Sequence, residues 1–190
     1  DSVVSADESA ANAIIVSGLR GQPRSVTDSA VPVDVFSEET IERASQTDTL
    51  DILQTLIPSY TVNRAANTTS DTFIRAPSLR GLPADKTLLL VNGRRRHKSA
   101  SVGVSGYGSH AADSAVIPAI ALKSIEVLRD GAAAQYGSDA IAGVINYELK
   151  DDNHGGSLVA QVGQYYEGDG ESVQIAGNIG LPLTDNGFIN

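Results

Sequence analysis

From residue 157 onward the chain alternates apolar and polar side chains, and no other feature of the sequence restricts the fold as much. In residues 157–166, Leu158, Ala160, Val162 and Tyr166 share one face of an extended chain, while Ser157, Gln161, Gly163 and Tyr165 share the other. In residues 172–183, Val173, Ile175, Ile179 and Leu181 oppose Ser172, Gln174, Asn178 and Gly180. Gly168-Asp169-Gly170 joins the two runs, and Asp185-Asn186-Gly187 supplies the next turn. Strands of this length and alternation match the wall of a membrane barrel, apolar outside and polar inside. A soluble amphipathic hairpin has the same period. Two strands cannot close a barrel, so that reading requires further strands, and Phe188-Ile189-Asn190 begins a third.

Upstream, the periodicity is irregular. Residues 1–13 are small, polar and acidic, and read as a mobile leader. Short β-prone runs follow at Ile14-Ile15-Val16 and over residues 31–36, separated by glycine, proline and serine. Ser37 reads as a helix N-cap, with Glu38 and Glu39 where the helix dipole favours anions. After Thr47-Asp48, residues Leu50, Leu53, Leu56 and Ile57 recur at helical spacing until Pro58 stops them. Strands are predicted over 60–62, 72–79 and 87–91, the last ending in the turn Asn92-Gly93. A glycine- and serine-rich loop occupies 98–114, and Pro118 opens a helical turn. A strand over 124–129, a short helix over 132–136 stopped by a left-handed Gly137, and a strand over 142–150 complete the pattern. Short helices mixed irregularly with strands predict an α+β domain over residues 14–150, with a linker and hairpin over 151–190.

Several functional classes are excluded on composition. A net charge of −9 opposes the phosphate neutralisation on which nucleic-acid binding depends. The longest apolar stretch, residues 115–128, is interrupted by Pro118, Lys123 and Glu126 and falls short of the roughly 18–20 residues of a spanning helix. Cysteine is absent, so there is neither a disulfide framework nor a thiolate site. The chain begins at Asp1 and contains no methionine, as expected if an initiator and signal peptide have been removed. His97, His110 and His154 are too scattered for a metal site, and Asp151-Asp152-Asn153 reads as a solvated linker rather than a calcium loop. The glycines between 131 and 143 lack both the lysine of a phosphate loop and the order of a dinucleotide site. Neither an enzyme nor a bound cofactor is expected.

The segment Glu126-Val127-Leu128-Arg129-Asp130-Gly131-Ala132-Ala133-Ala134-Gln135-Tyr136-Gly137-Ser138-Asp139-Ala140-Ile141-Ala142-Gly143-Val144-Ile145-Asn146 closely resembles the signature that closes the plug of TonB-dependent outer-membrane receptors. Leu79-Arg80-Gly81 stands where that family has Ile-Arg-Gly, and Leu88-Leu89-Leu90-Val91-Asn92-Gly93 follows in the family's order. Residues 33–41 and the helix end Leu56-Ile57-Pro58 fit as well. Two departures are Asp130-Gly131, where many members have Gly-Pro, and Arg75, which nearly repeats the arginine motif; Gly81 selects Arg80 as the family arginine.

The resemblance implies a plug filling the lumen of a barrel of about 22 strands, in the cell outer membrane with its N-terminus in the periplasm. It implies uptake of a scarce nutrient, ferric siderophores foremost, energised by TonB with ExbB and ExbD. The partners are then TonB, the cargo, the chain's own barrel and outer-membrane lipid. Asn12-Ala13-Ile14-Ile15-Val16-Ser17-Gly18 resembles the TonB box, an extended segment suited to adding a strand to TonB's edge, with Asp1 to Ala6 as a second candidate. Arg80 and Arg129 correspond to the arginines that latch plug to barrel through two glutamates. Cargo contacts are expected from residues 63–71 and 96–112, with His97, Ser105, Tyr107, Ser109 and His110 as contact candidates and the basic run 94–98 to attract an anion. Other readings are a signalling receptor, which carries a further domain before the plug, and a free-standing plug-like binding module.

Overall fold

The computed structural model describes residues 15–16, 24–25, 32–44, 48–62, 73–100, 110–129, 132–184 and 187–190. β1 (Ile15–Val16) and β2 (Arg24–Ser25) pair antiparallel. β3 (Val33–Ser37) runs directly into α1 (Glu38–Arg43), and α2 (Thr49–Leu56) follows. β4 (Tyr60–Val62) pairs with β5 (Pro77–Leu79). Next come β6 (Thr87–Val91), β7 (Arg94–Arg95), β8 (Leu122–Leu128), α3 (Ala132–Tyr136) and β9 (Gly143–Leu149). After Leu149 the chain leaves the sheet for β10 (Gly156–Gly163), β11 (Ser172–Ile179), β12 (Leu181–Thr184) and β13 (Gly187–Ile189).

The centre is a five-stranded mixed sheet in the order β3-β8-β9-β6-β7, parallel between β9 and β6 and antiparallel elsewhere. Strand β6 reads Thr-Leu-Leu-Leu-Val without alternation because apolar groups cover both faces of the sheet. On one face Leu89, Ile125, Val127, Ile145 and Tyr147 pack with Ile41 of α1, with Leu50, Ile52 and Leu53 of α2, and with Ile57, Tyr60 and Leu79. On the other, Val33, Leu88, Leu90, Leu128 and Val144 pack with Ala140, and Tyr136 of α3 lies against them. Each fully buried Leu or Ile contributes about 1.5–3 kcal/mol over its exposed state, so these two layers hold the sheet.

Local chemistry sets the element ends. Asp48 caps α2 by accepting from the Leu50 amide at 2.9 Å. Asn92 and Gly93 both lie at positive φ, as a two-residue hairpin turn requires. Ser37 holds the extended N-cap backbone, but its hydroxyl sits 3.2 Å from the Thr40 hydroxyl instead of capping α1. Gly137 has the positive φ expected of it with ψ −161°, an extended glycine conformation rather than the left-handed helical stop.

Three predicted strands are shorter than their patterns or broken within them. Of the run over 72–79, the described residues are strand only from Pro77, because the Arg75 carbonyl accepts from the amide (3.0 Å) and hydroxyl (2.6 Å) of Ser114, which takes Arg75 out of any ladder. The first hairpin strand stops at Gly163, since the turn recruits Tyr165: its amide donates to Asp169 and its carbonyl accepts from Gly168. The second breaks at Gly180, where a Cβ would lie 2.4 Å from the Asp152 carbonyl oxygen.

Tyr147 carries a liability. Its hydroxyl is buried and finds no hydrogen-bond partner among the described residues. Burial pushes its phenol well above the usual value, with Tyr60, Asp113 and Asp48 adding to the rise. Because the folded phenol keeps its proton where the unfolded one loses it, the fold keeps its full stability below about pH 10 and loses it progressively above. Tyr147→Phe is expected to stabilise the fold by roughly 1 kcal/mol near neutrality and to flatten its decline in alkali. Denaturant midpoints across pH 8–11 check both effects.

Candidate functional site

Two strand ends meet at one edge of the domain. β5 ends at Leu79 and β8 at Leu128, and the next residues are Arg80 and Arg129. They converge because Gly143, at φ +140°, has no side chain: a Cβ there would stand 2.6 Å from the Leu128 carbonyl oxygen and 2.9 Å from Leu79 Cδ1. Arg80 (φ +57°) and Gly81 (φ +70°) are successive left-handed residues that turn the chain away from the sheet. The Arg80 amide donates to Ser59 at 2.9 Å, and Arg80 Nη2 donates to the main-chain carbonyl of Arg129. Arg129 gives both Nε and Nη2 to Asp34 Oδ2 on β3. The Arg129 side chain is half exposed and that of Asp34 a third, so this pair adds at most about 1 kcal/mol by itself.

A basic rim lies on the β6–β7 hairpin. Arg95 Nη1 pairs with Asp139 at 2.9 Å and its Nη2 donates to the Tyr136 carbonyl, while Lys98 Nζ stands 3.8 Å from the same Asp139. A cleft of about 320 Å³ here is lined by Asp85, Arg96, His97, Lys98, His110 and Asp139. The fold thus brings together His97 and His110, two residues singled out from the sequence. His110 Nε2 donates to the Ser99 carbonyl, and the Ser99 amide donates to Ala111 at 2.9 Å, so the loop closes on itself at its base. Ser105, Tyr107 and Ser109 lie outside the described residues, as do residues 63–71. Of the segment 12–18, Ile15 and Val16 are described, extended and opposite Ser25 and Arg24; Asn12, Ala13, Ile14, Ser17 and Gly18 lie outside.

The β10–β11 hairpin has two unlike faces. Its register pairs Val159 with Ala176 and Gln161 with Gln174, and these four line a cleft of about 520 Å³ against Glu38, Glu42, Ile52, Ile120 and Lys150. On the opposite face Leu158, Val162, Val173 and Ile175 are each more than 70% exposed. Lys150, whose side chain is only 7% exposed, pairs with Glu38 at 2.6 Å, tying the exit of β9 to the first turn of α1. Sequence reading missed this pair, as it missed Asp34: both join residues far apart in the chain, and neither leaves a local pattern.

Residues 25–144 match the family model described as TonB-dependent Receptor Plug Domain. The vitamin B12 transporter BtuB of Vibrio vulnificus is 40% identical over 114 residues, 60% of this chain and 17% of the relative. The probable TonB-dependent siderophore receptor PirA of Acinetobacter baumannii is 31% identical over 157 residues, 80% of this chain and 21% of the relative. Among solved structures, a mutant of the ferric enterobactin receptor PfeA from Pseudomonas aeruginosa superposes with a TM-score of 0.61 at 28% identity, over 83% of this chain and 23% of that one. The chain therefore spans about a fifth of the length of the curated relatives it matches.

The convergence at Gly143 is testable. Gly143→Ala strains the backbone and drives a methyl group into the Leu128 carbonyl, at a cost of roughly 3 kcal/mol. The measurement is the denaturant midpoint of unfolding; a loss below about 0.5 kcal/mol shows that the strand ends meet without help from glycine.

Proposed function

This chain belongs to the TonB-dependent receptor plug domain family, and on that premise we propose that it is the plug and first wall strands of an outer-membrane transporter that imports a scarce nutrient with energy from TonB. The observation that carries this reading is the hairpin's orientation: Gln161, Gln174 and Ala176, with Val159, face the α+β domain, while Leu158, Val162, Val173 and Ile175 face outward. That is how the inner and outer surfaces of a barrel wall are arranged. A closed barrel satisfies its backbone in lipid but leaves an open lumen, which a plug of this size obstructs.

In this reading residues 14–150 form the plug, preceded by a leader over 1–13, and 151–190 enter the wall. The matched relatives are named as transporters and receptors, not as enzymes. Their names include vitamin B12 and ferric enterobactin, and the basic rim at residues 94–98 favours an anionic chelate such as a ferric siderophore. Residues 12–18 act as the TonB box, recruiting TonB with ExbB and ExbD by strand addition. The backbone of Ile15 and Val16 is already extended. Arg80 and Arg129 present their guanidinium groups at the plug edge for carboxylates of the barrel.

Transport is tested in a strain that depends on the full-length receptor, by uptake of a radiolabelled ferric siderophore and of labelled cobalamin with and without a protonophore. Uptake of one of them should cease when the proton gradient is collapsed. Ile15→Pro should abolish that uptake while leaving cargo binding intact; normal uptake by this variant removes residues 12–18 as the TonB box.

The latch makes a separate prediction. Arg80→Ala in the whole receptor leaves a barrel carboxylate buried and unpaired, which costs about 3–5 kcal/mol and admits bulky antibiotics. The same change in the 190-residue chain costs at most about 1 kcal/mol. Equal destabilisation in both contexts rules out the latch.

A further inference from the structure

Strand β3 is an edge of the central sheet and has one neighbour in it, β8. The register sets its first residue, Val33, opposite Leu128, so the ladder begins beside Arg129. Among the described residues, the backbone beyond Val33 adds one long bond, from the Arg129 amide to the Pro32 carbonyl at 3.4 Å. The side-chain link at this end is Asp34, whose Oδ2 receives two donors from Arg129. An antiparallel edge strand drawn from its end loses ladder bonds one after another, so the first contacts set how easily it opens. β8 is held on its far side by β9, so it stays in the sheet when β3 leaves.

We infer that Asp34 is a positioning residue that couples edge strand β3 to the plug-edge arginine Arg129. By taking Nε and Nη2, it fixes one side of the guanidinium fork and directs the Nη1 side toward a second acceptor. Opening β3 from its N-terminal end removes Asp34 and releases Arg129 from that orientation. This inference rests on the transporter reading for the direction of pull and for the barrel carboxylate that takes the second side. It assigns the link between the two to one carboxylate.

The test uses the full-length receptor in lipid nanodiscs for hydrogen exchange and in cells for antibiotic leakage. Asp34→Asn should raise amide exchange in residues 33–37 by up to about fivefold and raise leakage. Asp34→Glu, which keeps the charge, should restore both toward the unmodified level. Because Asp34 acts through Arg129, Asp34→Asn should add no leakage on an Arg129→Gln background. Val35→Ala loosens the same strand without touching Arg129, and its leakage should add to that of Arg129→Gln. Additive leakage from Asp34→Asn and Arg129→Gln, or unchanged exchange in Asp34→Asn, overturns the inference. Failure of the transporter reading shows itself separately, as uptake by the unmodified receptor that ignores the proton gradient.

Discussion

A single buried amide ties the central strands together. Asn146, midway along β9, donates to Glu126 of β8 at 2.9 Å and to Glu148 of its own strand at 2.7 Å, and its carbonyl accepts from the Gly93 amide in the β6–β7 turn at 3.0 Å. Both Asn146 and Glu126 are almost wholly buried, where an unmade polar contact costs about 1–3 kcal/mol. The register of β8, β9 and β6 is therefore fixed by polar need as well as by apolar packing, because a slip of one residue would strand these groups. The placement of three edges of the domain follows from that register. β8 delivers Arg129, the turn after β6 delivers the basic rim, and β9 leads to the hairpin.

The sequence displayed this architecture unevenly. The helix at Thr49–Leu56 was legible because its apolar spacing, its Asp48 cap and Pro58 all agree. The hairpin was legible because a period of two cannot be confused with a helix over that length. Residues 73–76 misled because β-prone composition says nothing about where the backbone bonds go, and here the Arg75 carbonyl is taken by a loop nearly forty positions away. Gly180 misled in the same way: its alternation is intact, but the approach of the Asp152 carbonyl interrupts the strand.

Of the candidate site, the two arginines stand out in the sequence through short motifs, Arg80 next to Gly81 and Arg129 two residues before Gly131. What those motifs concealed is that Arg80 and Arg129 are neighbours in space, joined through the Arg129 carbonyl, and that Arg129 has an acidic partner within its own domain. Asp34 sits in a strand whose pattern looks purely structural, so its charge reads as an ordinary solvent-facing residue until β8 is laid beside it. In the sequence His97 and His110 are only polar loop residues; their shared cleft depends on a loop that folds back through Ser99 and Ala111.

The strand order has a consequence in time. Asp34 and Arg129 lie 95 positions apart, and β6 gains its parallel neighbour only with β9. Before β9 is available, β8 has β3 and β6 has the two-residue β7, with nothing between the halves. Such long-range closures are slow, since loop entropy must be overcome before contacts reward it. In a chain emerging from its N-terminus, the sheet is completed by the last strand before the hairpin, so closure of the domain and formation of the hairpin are consecutive steps. During that interval a half-built sheet and an uncovered apolar face coexist, a state open to aggregation and suited to capture by a chaperone.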